Sequence, residues 1–224
     1  MNILMLVGSP KPKGSVSEIL GSCLVRKLEQ LGHKNISVNT AKTIRTEPGL
    51  QELKETYSYS DLLVIAYPLY IDTLPYPLIS ALEHLSELKT TNPKKVLAIC
   101  NCGFPESSQC SISLSNIELF TKQTGNIWLG GFALGAGGAI AGMTRGRKLE
   151  ESGGMFRNVI KAFDLITDSI DKNTSIPEEA FKLFSKPLMP KWLYTTMGNL
   201  GWNSMGKKNG LSKKELYKRP YEQD

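Results

Sequence analysis

Ile3-Leu4-Met5-Leu6-Val7-Gly8-Ser9-Pro10-Lys11-Pro12-Lys13-Gly14-Ser15-Val16-Ser17 is the stretch that decides how this chain folds. Its first five residues are apolar without alternation, which suits a strand covered on both faces. A polar loop of small, hydroxylic, proline and lysine residues follows. From Val16 to Leu31 the positions Ile19, Leu20, Cys23, Leu24, Leu28 and Leu31 share one helical stripe, and Gly32 stands as a C′ residue after it. A buried strand, a polar turn and an amphipathic helix make the first half of a βαβ unit.

The same alternation continues along the chain. Apolar runs recur at Ile36 to Val38, Leu62 to Ala66, Val96 to Cys100 and Ile127 to Leu134. Helical spacing follows them at Leu50 to Tyr57, Pro77 to Leu88, Ser113 to Thr124 and Met155 to Ile170, the last with Phe156, Val159, Ile160, Phe163, Ile166 and Ile170 on its face. Strands alternating with helices predict a parallel sheet with helices on both faces. Right-handed crossovers leave few topologies, and five strands favour the order 2-1-3-4-5 over a six-stranded dinucleotide fold. The expected fold is therefore an α/β three-layer sandwich over residues 1–175. Residues 176–224 form an extension: a short helix at Glu178 to Phe184, then Pro187, Pro190, Trp192, Tyr194, Trp202 and a lysine-rich end. Two of the three tryptophans lie there. Large aromatics need burial to stabilise anything, so the extension is expected to pack on the domain or on a second subunit.

Composition narrows the function. Hydrophobic residues are 41% and charged residues 21% of 224, ordinary for a globular chain. The net charge of +6 favours anionic partners, but much of it sits among the many lysines between Lys182 and Lys218, and no recognised nucleic-acid motif accompanies it. Cys23, Cys100, Cys102 and Cys110 match no zinc or thioredoxin spacing, so no metal is expected and the thiols read as reduced. No stretch approaches the ~18 apolar residues of a membrane span, and the first apolar run lacks the features of a signal peptide. The expected location is cytoplasmic.

Ligands of open α/β sheets bind beyond the carboxyl ends of the strands, near the switch in strand order. Three loops come into view there. In the first, backbone N–H groups at a helix N-terminus suit a phosphate, Ser9, Ser15 and Ser17 can donate to its oxygens, Val16 opens the helix, and Lys11 can neutralise charge. The loop fits neither G-x-x-x-x-G-K-[ST] nor G-x-G-x-x-G. Read alone it is also compatible with a plain turn whose Ser15 or Ser17 caps the helix. In the second loop, aromatic and apolar groups such as Leu69 and Tyr70 can pack on a flat ring, or Tyr67 and Tyr70 can be core or interface aromatics. The third holds Asn101, Cys102, Gly103 and Phe104. Cys102 has no histidine nearby in sequence to activate it, and a small buried thiol is the simpler role. A glycine-dense segment, Gly130 to Gly146, holds Arg145 and Arg147 and reads as a flexible lid or as a disordered connection.

These three loops, in this order, resemble those of the NADPH-dependent FMN reductases and related flavodoxin-like oxidoreductases. Gly8-Ser9-Pro10-Lys11 with Gly14-Ser15-x-Ser17 is similar to their phosphate loop. Tyr67-Pro68-Leu69-Tyr70-Ile71-Asp72 then Leu74-Pro75 is similar to their flavin-ring loop, and Asn101-Cys102-Gly103-Phe104-Pro105-Glu106 to the loop over the ring edge. Lys11 stands where Arg is commoner, a point charge instead of a bidentate fork, and Pro12 is an addition. The cysteine cluster of the related iron–sulfur flavoproteins is missing, so no such centre carries over. The resemblance implies a flavodoxin-like fold holding FMN, with NAD(P)H as hydride donor, a small-molecule acceptor on the same flavin face, and no protein acid or base. It also implies a homodimer, for which Trp192 to Trp202 is the candidate contact. A flavodoxin-type electron carrier and an FMN-binding sensor or structural module are the alternatives.

Overall fold

A computed structural model describes residues 1–11, 13–88, 92–144, 146–219 and 221. Pro12 and Arg145, both singled out above, lie outside the described residues. In chain order the elements are β1 (Asn2–Val7), α1 (Val16–Gln30), β2 (Lys34–Asn39), α2 (Thr40–Thr43), α3 (Glu47–Tyr59), β3 (Leu62–Pro68), α4 (Tyr76–Ser86), β4 (Lys95–Asn101), α5 (Ser111–Gln123), β5 (Ile127–Leu134), α6 (Gly137–Thr144), α7 (Arg157–Asp171), α8 (Glu178–Phe184), α9 (Lys191–Lys208) and α10 (Lys213–Leu216). The five strands pair in parallel in the order β2-β1-β3-β4-β5. This is the expected flavodoxin-like sandwich.

The continuous apolar runs are explained by two cores, one on each face of the sheet. Ile3, Met5, Val64, Leu97 and Phe132 point toward α1, α7 and α8. Leu4, Leu6, Leu63, Ile65, Val96 and Ala98 point toward α3, α4 and α5. Successive strand residues alternate in direction, so a strand buried on both faces needs apolar residues at every position.

The glycine-dense segment forms regular structure in β5 and, through Thr144, in α6. Gly130 and Gly131 lie within β5, and Gly137 begins α6. β5 carries a bulge between its pairings with Val96 and Leu97, and Gly130 takes φ 139° there, a conformation side chains rarely adopt. A Cβ at Gly130 would stand 2.6 Å from the Phe181 ring. The missing side chain lets Phe181 of α8 stack on Phe132 of β5 at 4.6 Å and 8°. Phe184 meets Phe132 and Phe163 edge-on at 5.5 and 5.3 Å.

The chain divides into two compact units, Met1–Leu188 and Met189–Asp224. α8, expected to open the extension, is packed within the first unit, where Ala180, Leu183 and Phe184 belong to the core facing α1 and α7. The second unit holds a helix that the sequence analysis did not expect, α9, followed by α10, which begins with a capping box between Ser212 and Glu215. Trp192, Leu200, Trp202 and Met205 on α9 are exposed.

Candidate functional site

The carboxyl ends of β1, β3, β4 and β5 converge on a cleft of about 280 Å³. Its walls are Ser9, Lys11, Gly14, Ser15, Val16 and Ser17 from the first loop, Pro68, Leu69 and Tyr70 from the second, Asn101, Cys102 and Gly103 from the third, and Gly137 and Gly138 after β5. A crevice of about 640 Å³ over Asn2, Lys34, Ile36 and Tyr59 is larger, but it lies at the amino ends of β1 and β2, away from the switch in strand order.

Backbone and side-chain hydrogen bonds lock the four loops together. Ser17 Oγ donates to Asn101 Oδ1 at 3.0 Å, joining the first loop to the third. Leu69 N donates to Asn101 O at 2.8 Å, joining the second to the third. Ala136 N donates to Phe104 O at 2.6 Å and Gly137 N to Cys102 O at 2.8 Å, joining the third to the turn after β5. Asn101 is thus the hub, and it is buried. Gly135 makes the last junction feasible, because a Cβ there would collide with the backbone of Pro105.

Ser9, Ser15 and Ser17 are buried hydroxyls beside the start of α1. Ser15 caps the helix, its Oγ accepting from Glu18 N at 3.1 Å. Its own O–H proton is still able to donate. Ser9 Oγ accepts from Lys11 N at 3.2 Å and likewise keeps a proton to give. The N–H groups of Val16 and Ser17 have no intrahelical partner, as in any first helical turn, and the helix dipole adds partial positive charge. Lys11 Nζ folds back onto Gly14 O at 3.1 Å. This donor set fits a phosphate, with one exception: the Glu18 carboxylate already accepts from Gly14 N at 2.6 Å. Leu69 and Tyr70 line the same cleft together with the glycines Gly103, Gly137 and Gly138, a lining that fits a flat ring. The phosphate and ring features together fit FMN.

Eleven of the thirteen residues singled out from the sequence line this cleft, and two do not. Ile71 is 97% exposed. Ile71 and Asp72 take φ 45° and 59° at the tip of a tight hairpin in which Tyr70 and Thr73 exchange backbone hydrogen bonds at 3.0 Å. That turn directs the Ile71 side chain to solvent. Phe104 is 55% exposed, because its carbonyl is engaged inward by Ala136. Conversely, Gly137 and Gly138 were overlooked. Their signal was position: glycines immediately after the fifth strand lie at the same end of the sheet as the other three loops.

Three of the thiols, Cys102 in the cleft wall among them, are not activated. Contact with the Cys110 thiol, followed by burial, pushes Cys102 well above the ordinary thiol range. Its Sγ–H points at the carbonyls of Phe104 and Glu106, 3.5 and 3.4 Å away. Cys110, in contact with Cys100, is pushed up to about 12, and burial with the nearby Glu150 takes Cys23 to about 12. A thiolate forms only as pH rises through these values, so all three stay protonated at neutral pH. Iodoacetamide at pH 8 is therefore expected to modify the native protein at least about tenfold more slowly than the urea-unfolded chain, as followed by mass spectrometry. Rapid native labelling at Cys102 would contradict the geometry.

The topology defines the class of protein: a flavodoxin-like α/β sandwich with a four-loop cleft at the switch point. Solved structures with this architecture include an NADH:FMN oxidoreductase in its apo form (TM-score 0.56, 14% identity, covering 84% of this chain and 96% of that one). An FMN-dependent NADH-azoreductase from Bacillus anthracis, solved in complex with FMN, is similar at TM-score 0.54 and 12% identity, covering 76% of this chain and 100% of that one. A flavodoxin from Streptococcus pneumoniae is similar at TM-score 0.52 and 13% identity, covering 78% and 100% respectively. No family model matches the chain, and no curated protein matches it significantly. At these identities the likeness establishes the fold.

Proposed function

We propose that the chain is an FMN-dependent oxidoreductase that takes hydride from NAD(P)H and passes electrons to a flavin, quinone or other small acceptor. The observation that carries this is the cleft, which brings buried hydroxyls at the start of α1 together with Leu69, Tyr70 and glycine backbone. Two of the similar structures are named for NADH and FMN chemistry, which supports the same reading. FMN, when bound, supplies the hydride-accepting chemistry. The chain's residues bind and orient. The Ser9 and Ser15 hydroxyls, Lys11 and the first-turn N–H groups of Val16 and Ser17 would hold the phosphate. Tyr70 and Leu69 would lie against the ring, and Cys102 keeps its proton on Sγ. A cleft of about 280 Å³, just below the ~300–1,000 Å³ range of ligand pockets, would leave part of a flavin open to donor and acceptor in turn.

The chain is further proposed to work as a cytoplasmic homodimer. Four buried, unpaired cysteines support a reducing compartment. The exposed aromatics of α9 support a contact between copies. No described helix is long and apolar enough to cross a membrane.

The test is an absorption spectrum after FMN loading and removal of excess, followed by anaerobic addition of NADH and NADPH. About one FMN per chain, bleached by one or both nicotinamides, is expected. The flavodoxin likeness favours one second reading, an electron carrier: FMN retained but bleached by neither nicotinamide would select it. A colourless protein would leave the fold standing and remove the redox function.

A further inference from the structure

The residues lining the cleft include no Asp or Glu, yet one acid reaches its phosphate end from outside. Glu18 Oε2 accepts from the Gly14 N–H at 2.6 Å, and Gly14 is part of the cleft wall. An amide of this loop that a bound anion would use is therefore held by a carboxylate of the chain itself. The contact is short, charge-assisted and solvent-exposed. Around the carboxylate, Lys13 and Lys42 line the adjoining crevice together with Glu52, and Lys11 Nζ is 3.1 Å from Gly14 O. A capping box would send the glutamate at this position to the N-cap residue's own N–H. Here it reaches one residue further out, to Gly14, and so onto the loop.

We infer that Glu18 is a specificity-determining residue of the cleft. Its carboxylate competes with a phosphate dianion for the Gly14 N–H and lowers the chain's preference for FMN over riboflavin, the same ring without the phosphate. The inference rests on the flavin reading of the cleft. The physical reason is that a like charge within a few ångström disfavours the charged form of its neighbour, and that both groups seek the same donor. When a phosphate enters, Glu18 must release Gly14 and turn toward the Lys13 and Lys42 side of the crevice. A flavin without a phosphate makes no such demand.

The test compares FMN and riboflavin affinities, by fluorescence quenching, for the wild-type chain and for Glu18→Gln. Glutamine keeps the size and a carbonyl for Gly14 but removes the charge. The expected result is a riboflavin Kd unchanged within about twofold and an FMN Kd lowered at least about tenfold, the scale of one pK unit of like-charge interaction. A ratio of the two affinities that does not move overturns the inference. So does equal weakening of both flavins with a lowered melting temperature, which is what a purely helix-capping Glu18 would give. If the wild-type chain binds neither flavin, the flavin reading fails by itself. Inorganic phosphate, titrated against the Gly14 amide resonance, then decides the role of Glu18. Tighter phosphate binding in Glu18→Gln supports the competition, and equal or absent binding in both overturns it.

Discussion

Cut after residue 175, the chain is expected not to fold, whereas cut after Leu188 it is expected to melt cooperatively. The difference is α8. Its loss uncovers Phe132 and Phe163 and removes Phe181, Phe184 and Leu183 from the core facing α1 and α7. Truncating one buried Phe to Ala costs about 3–5 kcal/mol, and aromatic pairs add about 0.5–1.5 kcal/mol each. Two such rings account for most of the ~5–15 kcal/mol by which a domain is stable. Near-ultraviolet circular dichroism and thermal melts of the two truncations check this, with full-length Phe184→Ala as an intermediate case. A cooperative melt from residues 1–175 would overturn it. Sedimentation of the 1–188 protein also reads the proposed dimer: a monomer places the contact in the second unit, and an unchanged dimer with full flavin content removes α9 from that role.

Gly135→Val is the second large effect. Its Cβ would collide with the Pro105 carbonyl, a backbone atom that cannot rotate away. The turn after β5 must then separate from the third loop, taking with it the hydrogen bonds from Ala136 to Phe104 and from Gly137 to Cys102. Two hydrogen bonds at about 1 kcal/mol each and overpacking at about 1–3 kcal/mol predict a loss of about 3–5 kcal/mol. For a domain of this size that lowers the melting temperature by roughly 6–20 °C. Flavin retention is expected to fall with it, since Gly137 and Gly138 form part of the wall. Gly142→Ala, in α6 with nothing within 4 Å of its added Cβ, is the control and is expected to be neutral or slightly stabilising. A Gly135→Val protein with wild-type melting and full flavin would show that the junction does not matter.

Much of this architecture was legible because burial on both faces leaves a mark on sequence. Leu62 to Ala66 and Val96 to Cys100 are apolar at every position, and turns rich in Gly, Pro and Ser punctuate them. Three of the four cleft loops were legible because each follows such a strand. α9 was not. Its apolar residues, Trp192, Leu193, Tyr194, Met197, Leu200, Trp202 and Met205, fall on no single stripe, and Gly198, Gly201 and Gly206 weaken its helical propensity. The place of α8 inside the first unit leaves little mark on the sequence for a related reason. A seven-residue helix has too few turns to show a face, and the partner that holds it depends on the bulge at Gly130. The outward turn of Ile71 was hidden because a β-branched residue seldom takes positive φ.

The cleft draws its walls from residues as far apart in sequence as Ser9 and Gly138, through four parallel strands that pair only after long crossovers. No fragment shorter than nearly the whole sandwich contains it. Occupancy is consequently a reporter of complete assembly. Parallel pairings of high sequence separation form slowly, so cofactor capture is expected to follow folding and not to nucleate it. Once made, the complex returns the dependence: a ligand at a hundred times its Kd that binds only the assembled sandwich adds about 2.7 kcal/mol to its stability. Cellular abundance of this protein would then track the supply of its ligand.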